Sequence, residues 1–168
     1  KNQFTHLKIH TQYSICEGAI KIINLKDFCK KNKIHAIGLS DTKNLCGALE
    51  FAENISKVGT QPIIGTQINF KFKDQIGILP IIANNFEGYK SIISLSSKSY
   101  LENKSIDEPH CLFQELLKIK SGVTVLTGSF EGLIGNLFSK NLLTEVEEVT
   151  EGVPANIAAI AVTGGITK

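Results

Sequence analysis

Short apolar strand patterns alternate with amphipathic helix patterns along most of this chain, about every 25–35 residues. A strand pattern over residues 34–40 precedes a helix pattern over 45–58, and a strand pattern over 76–83 precedes a helix pattern over 86–101. Such alternation is typical of βαβ units, in which helices connect parallel strands. The sequence therefore predicts an α/β fold with a mostly parallel sheet or a (β/α) barrel.

The remaining patterns extend this fold but do not complete a barrel. They predict strands over 4–10, 62–72 and 122–126, helices over 19–31, 112–119 and 131–140, and a loop over 102–109. The last segment differs in character, since a possible strand over 155–162 leads directly into Thr163-Gly164-Gly165 and the end of the chain. We therefore predict a partial α/β domain over residues 1–149 and an atypical tail of uncertain origin over 150–168.

Composition excludes several classes of function. The net charge is +2, and the 18 basic residues include no arginine, so no electrostatic argument favours a nucleic-acid-binding face. No apolar run approaches ~20 residues and no signal peptide precedes the first strand, which argues against membrane insertion and export. Four cysteines without a CxxC pair indicate free thiols in a reducing compartment. The predicted location is cytoplasmic.

Candidate functional residues lie where α/β folds place them, beyond the carboxyl ends of strands. His10, Asp41, Gln67 and Ser129 all fall near such ends. On the first strand, His6 and His10 share one face with a lysine between them. Two imidazoles on one face could converge on a metal ion, although the lysine charge opposes a cation there. The alternative is one hydrogen-bonded structural histidine beside an exposed one.

Each acidic candidate allows two interpretations. Asp41 is either a metal ligand or base, or an N-cap or Asx-turn aspartate that opens the turn before the next helix. Glu17 is either a ligand on the first βα loop or a solvated turn residue. Glu50 is either an inward carboxylate, which would need a partner, or an outward helix residue. The pattern around Ser129 is not that of a hydrolase nucleophile, and no DxD-type carboxylate pair is present.

Several motifs together resemble a known family. Residues 6–14 read HLKIHTQYS, and residues 44–51, just after Asp41, read NLCGALEF. Further on are PIIG at 62–65, ANNFEGY at 83–89 and LSSKSYL at 95–101. In this order they resemble the PHP (polymerase and histidinol phosphatase) domain of bacterial DNA polymerase III alpha subunits, over roughly residues 3–140. The resemblance implies an incomplete PHP-type (β/α) barrel with mostly parallel strands.

The resemblance also implies a degenerate metal site. Six positions of this chain differ from the family members that bind metal, which mostly have histidine or acidic ligands there. The residues of this chain at these positions are Lys8, Thr42, Lys43, Gln67, Ile78 and Ser129. The residual candidate ligands are His10, Glu17, Asp41 and Glu50, which the resemblance implies do not form a functional cluster. No catalytic residue is expected in this chain. Zn²⁺ or Mn²⁺ is expected only if the PHP site is retained.

The parent implied by the resemblance is a DNA-directed DNA polymerase, a nucleotidyltransferase of DNA replication that uses Mg²⁺. This segment lacks the polymerase active site and is expected to be a non-catalytic scaffold. Its implied partners are the polymerase body of the same chain, the proofreading exonuclease subunit and other replicase subunits. The parent protein would bind DNA, and no membrane partner is expected. The alternatives are a metal-dependent phosphoesterase of the histidinol-phosphatase kind and a binding module repurposed from a truncated gene.

Overall fold

The computed structural model describes residues 4–103, 107–119 and 121–153, and the backbone of 158–160. The chain divides into two compact units, Lys1–Gln67 and Ile68–Lys168. Of the tail predicted over 150–168, residues 154–157 and 161–168 lie outside the described residues. The boundary after residue 149 stays a prediction.

The first unit is a βαβ unit, as the alternating patterns predict. Strands β1 and β2 pair in parallel from Ala36 opposite Gln61 to Thr42 opposite Gln67. The elements of this unit are α1 (Ile22–Asn32), β1 (Ala36–Thr42), α2 (Ala48–Ser56) and the first part of β2 (Gln61–Phe72). Both helices begin later than the sequence patterns indicate.

Apolar side chains from α1, β1 and α2 form the core of this unit. Helix α1 contributes Ile22, Leu25 and Cys29, which recur at the spacing of one helix face. Ile37 and Leu39 point from β1 into the same cluster. Side chains alternate between the two faces of a strand. Ser40 and Thr42, the residues before and after Asp41 in the sequence, therefore lie on the face opposite Leu39. The cluster comprises Ile22, Leu25, Cys29, Ile37, Leu39, Ala48, Phe51 and Ile55.

The strand predicted over residues 4–10 is only partly formed. The segment runs parallel to β1 through an isolated bridge between Ile9 and Leu39, with Ile9 N donating to Gly38 O at 3.2 Å. One residue past His10 the chain turns, and Thr11 bridges to Ile20 instead. The segment therefore lacks the continuous ladder that a regular strand requires, because its end belongs to the loop that leads into α1.

The second unit contains a mixed sheet. Its strand order is β2, β3 (Gln75–Ala83), β5 (Val123–Leu126) and β6 (Ala158–Ile160), and β4 (Cys111–Leu112) pairs with β2. The β2–β4 and β5–β6 pairs are parallel, whereas β3 and β5 are antiparallel. Only Lys73 and Asp74 connect β2 to β3, and a two-residue connection joins antiparallel strands, so β3 is the strand that interrupts the parallel order. The described strands do not close into a barrel.

The helices of the second unit agree only in part with the sequence patterns. Helix α3 (Phe86–Leu101) has the predicted bounds. The others are α4 (Phe113–Leu117), α5 (Leu133–Ser139) and α6 (Leu143–Gly152). Helix α6 was not predicted, because its sequence is acidic with few apolar residues. Its Val149 is buried, and Lys73 Nζ lies 2.9 Å from Glu148 and 3.5 Å from Glu145.

A close backbone approach secures the start of α3. The side chain of Asn85 caps the helix by accepting a hydrogen bond from Gly88 N at 2.9 Å. Asn84 N donates to Gly122 O at 2.8 Å. A Cβ atom at position 88 would lie 1.6 Å from that same carbonyl oxygen. Only glycine therefore fits at position 88 without moving the loop.

The cysteines are free thiols, as predicted. Cys29 and Cys111 are buried, while Cys16 and Cys46 are exposed. Burial raises the pKa of the Cys111 thiol to about 11, so this thiol stays protonated near neutral pH. Within the described ranges, no helix is long and apolar enough to cross a membrane.

Candidate functional site

The polar cluster of the first unit lies at the carboxyl ends of β1 and β2. There, Thr42 stands opposite Gln67 in the parallel ladder, and Asp41 precedes it. The N-terminal loop passes beside this edge and supplies His10 and Glu17. Three of the predicted ligand candidates are thus brought to one edge of the sheet, as the strand-end rule indicates.

Asp41 is fully buried and is bound by the N-terminal loop. Its Oδ1 accepts hydrogen bonds from Thr11 N at 2.6 Å and from Ser14 Oγ at 2.7 Å. Its Oδ2 accepts one from Thr11 Oγ1 at 2.7 Å. The residue at the N-cap of α2 is Gly47, so the interpretation of Asp41 as a cap of that helix is wrong. Asp41 instead anchors a loop about thirty residues earlier in the chain.

Thr42 is the centre of a second hydrogen-bond network. Its hydroxyl donates to Glu17 Oε2 at 2.5 Å and accepts from Gln67 Nε2 at 3.1 Å. Its backbone N–H donates to Ser14 Oγ at 3.0 Å. Glu17 is therefore not simply a solvated turn residue, although its side chain is half exposed.

His10 lies against both networks. Its Nδ1 is 3.5 Å from the hydroxyl oxygens of Ser14 and Thr42 and 3.8 Å from Glu17 Oε2. Burial, and then the positive charge of Lys8, lower the pKa of His10, and they outweigh the opposing effect of the nearby carboxylates. The imidazole is therefore neutral at pH 7, and its contact with Glu17 is polar but not an ion pair.

Two other candidates have separate partners. Glu50 Oε2 accepts a hydrogen bond from the Tyr13 hydroxyl at 2.6 Å, and this bond raises the pKa of Tyr13. The half-buried carboxylate thus has the partner that an inward orientation requires. His6 is exposed, and its ring packs edge-on against Phe4 with the centroids 4.8 Å apart.

Comparison with known proteins decides the family. The model of the PHP domain matches residues 6–161. The chain belongs to the PHP domain family. Relatives of this PHP domain include the DNA polymerase III subunit alpha of Haemophilus influenzae, 32% identical over 148 residues, and that of Rickettsia felis, 35% identical over 147 residues. The matches cover 86% and 87% of this chain but only 13% and 12% of those proteins. The chain therefore spans about one eighth of their length.

Two solved structures are similar to parts of this chain at low sequence identity. One, from Bifidobacterium adolescentis, is described as a metal-dependent phosphoesterase and is 16% identical, with a TM-score of 0.47 over 90% of this chain and 55% of that one. The other is an amidohydrolase from Chromobacterium violaceum, 14% identical, with a TM-score of 0.46 over 56% of this chain and 32% of that one.

The hydroxyl groups that hold this edge of the PHP domain were not identified from the sequence. Thr11 and Ser14 bind Asp41, and Tyr13 binds Glu50. The available signal was the run of hydroxyl side chains that directly follows the first strand pattern. Such residues at a strand end are ready donors to a buried carboxylate on the neighbouring strand.

The donor set of this PHP domain does not fit a cluster of divalent ions. Three hydrogen bonds within the protein already use three of the about four lone-pair sites of the Asp41 carboxylate, which leaves at most one site, on Oδ2, for a metal ion. Gln67 is neutral, and Lys8 places a positive charge near His10. Over the described ranges, no group of three or more His, Cys, Asp or Glu side chains is arranged to hold a metal ion.

The direction of the hydrogen bonds predicts the tautomer of His10. Ser14 and Thr42 each have one hydroxyl hydrogen, and these are donated to Asp41 and Glu17 respectively. Both hydroxyls can only accept from the imidazole, so we expect the proton on Nδ1. Long-range ¹H–¹⁵N correlation spectra at pH 7 test this prediction, with the exposed His35 as the reference. An unprotonated Nδ1 would contradict the assigned bond directions.

Proposed function

We propose that this PHP domain is the N-terminal part of a bacterial replicative DNA polymerase alpha subunit and acts in DNA replication as a non-catalytic scaffold. Family membership supports the assignment, as do polymerase III alpha relatives at 32–35% identity. In the proposed parent, Mg²⁺-dependent nucleotidyl transfer takes place outside this segment. The proposed partners are the polymerase body, the proofreading exonuclease and other replicase subunits, with DNA bound through the parent.

The scaffold role rests chiefly on one observation, the commitment of Asp41 to the N-terminal loop. This buried carboxylate accepts three hydrogen bonds within the protein, which use most of its lone pairs and fix its orientation toward the N-terminal loop. Its neighbour Thr42 likewise connects Glu17 Oε2 to Gln67 Nε2. These bonds support a site whose polar groups now stabilise the fold. His10, Glu17, Asp41 and Glu50 remain residual ligand candidates only.

The alternative is a metal-dependent phosphoesterase of the histidinol-phosphatase kind. One geometric observation favours it, namely that Nδ1 of His10 lies 3.8 Å from a carboxylate oxygen of Glu17. A single imidazole and one carboxylate are fewer ligands than a catalytic zinc site uses, which is three protein groups. We therefore place this function second.

Metal analysis of the purified chain separates the two functions. We expect no stoichiometric zinc, manganese or iron after incubation with excess metal and gel filtration. EDTA should leave the melting temperature unchanged, and model phosphomonoesters and phosphodiesters should release no phosphate above the metal-only blank. Two or three tightly bound ions per chain, or phosphate release that EDTA abolishes, would establish the phosphoesterase instead.

The polymerase assignment has its own test. We expect the reading frame that encodes this chain to continue past Lys168 into a polymerase catalytic domain. The full-length product should then extend a primed DNA template with deoxynucleoside triphosphates and Mg²⁺. A stop codon close after Lys168 would exclude the polymerase parent without affecting the metal result, and would favour a module from a truncated gene.

A further inference from the structure

Two buried oxygen atoms of the first unit have no hydrogen-bond partner among the described residues. They are Ser40 Oγ and Gln67 Oε1. Ser40 is fully buried and Gln67 is 3% exposed. Buried polar atoms in native proteins are almost always hydrogen-bonded, to protein or to ordered water. Each of these oxygens therefore needs a hydrogen-bond partner, and their neighbouring positions in the sheet allow one small molecule to serve both.

The register of the sheet places both side chains on the same face. Ser40 is opposite Gly65, and Gln67 is two residues further along β2. Side chains two residues apart share a face, so Ser40 and Gln67 point to the same side of the β1–β2 ladder. From strand spacing and rise, their Cα atoms are roughly 8 Å apart. The glutamine side chain is long enough to cover part of this distance.

The orientation of the Gln67 amide follows from its neighbour. Thr42 has a single hydroxyl hydrogen, which is donated to Glu17, so the hydroxyl can only accept from Gln67. Gln67 must therefore direct its NH₂ group to Thr42. Its carbonyl oxygen then points elsewhere and needs a donor. The Ser40 hydroxyl can either donate or accept, which suits it to the other end of a bridge.

We propose that one water molecule binds between Ser40 Oγ and Gln67 Oε1 and links β1 to β2. A bridging water spans up to about 5.6 Å between two oxygens, a gap too wide for a direct hydrogen bond. It donates to the glutamine carbonyl and exchanges a hydrogen bond with the serine hydroxyl. A metal cation does not fit, because hard cations take six or more oxygen ligands and these two oxygens are neutral.

This water site is independent of the proposed polymerase function. It lies on the face of the β1–β2 ladder opposite the apolar cluster that contains Leu39 and the side chains of α1. The water therefore connects the two strands on the face that this cluster does not cover. Buried waters of this kind are integral to a fold and are costly to remove. The site extends the Thr42 network by one solvent molecule and uses only neutral groups.

The test combines crystallography with water relaxation measurements on the 168-residue chain. A crystal structure near atomic resolution should show one spherical density peak within hydrogen-bond distance of both oxygens. In ¹⁷O relaxation dispersion, Gln67→Met should remove one long-lived water. Gln61→Met, at an exposed position of the same strand, should remove none.

Three crystallographic outcomes would overturn the proposal. The crystal structure of the unaltered chain could show Ser40 bonded directly to Gln67, no density between them, or an ion with a complete ligand shell. If Gln67→Met fails to fold, the density of the unaltered chain still decides. An equal loss of long-lived water in both methionine variants would also contradict a site at Gln67.

Discussion

The substitution Asp41→Ala should lower the melting temperature of the chain by about 6–12 °C, which corresponds to roughly 3 kcal/mol. It removes the acceptor of three hydrogen bonds, from Thr11 N, Thr11 Oγ1 and Ser14 Oγ. The hydroxyls can rotate toward other acceptors, but the buried N–H of Thr11 cannot. Calorimetry measures the shift, and amide exchange should show faster opening of residues 10–18.

Two matched variants separate the causes of this effect. Asp27→Ala, at an exposed position of α1, should change the melting temperature by no more than about 2 °C. Asp41→Asn keeps the shape and one carbonyl acceptor but loses the charge, so it should fall between the unaltered chain and Asp41→Ala. EDTA should change none of these values. If Asp41→Ala melts like the unaltered chain, the anchoring role is wrong.

The sequence patterns predict the elements with strong periodicity and miss those held by other contacts. Helix α3 has its predicted bounds because Asn85 provides a clear cap before a long helical pattern. The sequence of α6 is weakly apolar and gives no clear helix pattern, although the helix buries Val149 and its Glu145 and Glu148 pair with Lys73. The antiparallel pairing of β3 with β5 is equally invisible, since alternation of elements alone favours parallel neighbours.

The structure places His10, Glu17 and Asp41 near the ends of β1 and β2, close to the strand ends that the sequence indicates, but the bonding of these residues was not predictable. His10, Glu17 and Asp41 lie close together because parallel strands bring their carboxyl ends to one edge. Which atoms bond there depends on side-chain reach across the fold. The bonds from Thr11 to Asp41 join residues thirty positions apart, and sequence spacing carries no information about such pairs.

The substitution Gly88→Ala should destabilise the chain by about 2 kcal/mol and lower its melting temperature by about 4–8 °C. Alanine within a helix is normally better than glycine by about 1 kcal/mol, so the usual effect would be stabilising. Here the new Cβ would lie 1.6 Å from Gly122 O. That oxygen belongs to the backbone and accepts from Asn84 N, so relief of the clash must weaken this bond.

Gly152→Ala is the matched control, because it adds the same methyl group to a helix without a clash. Its Cβ would lie 3.8 Å from a side-chain carbon of Leu117 and 4.0 Å from one of Phe113, which are ordinary contacts. This variant should melt at or slightly above the temperature of the unaltered chain. If both alanine variants melt alike, α3 and the Gly122 loop can separate at no cost. The glycine at 88 would then not be required by packing, and the close approach would not contribute to the stability of the second unit.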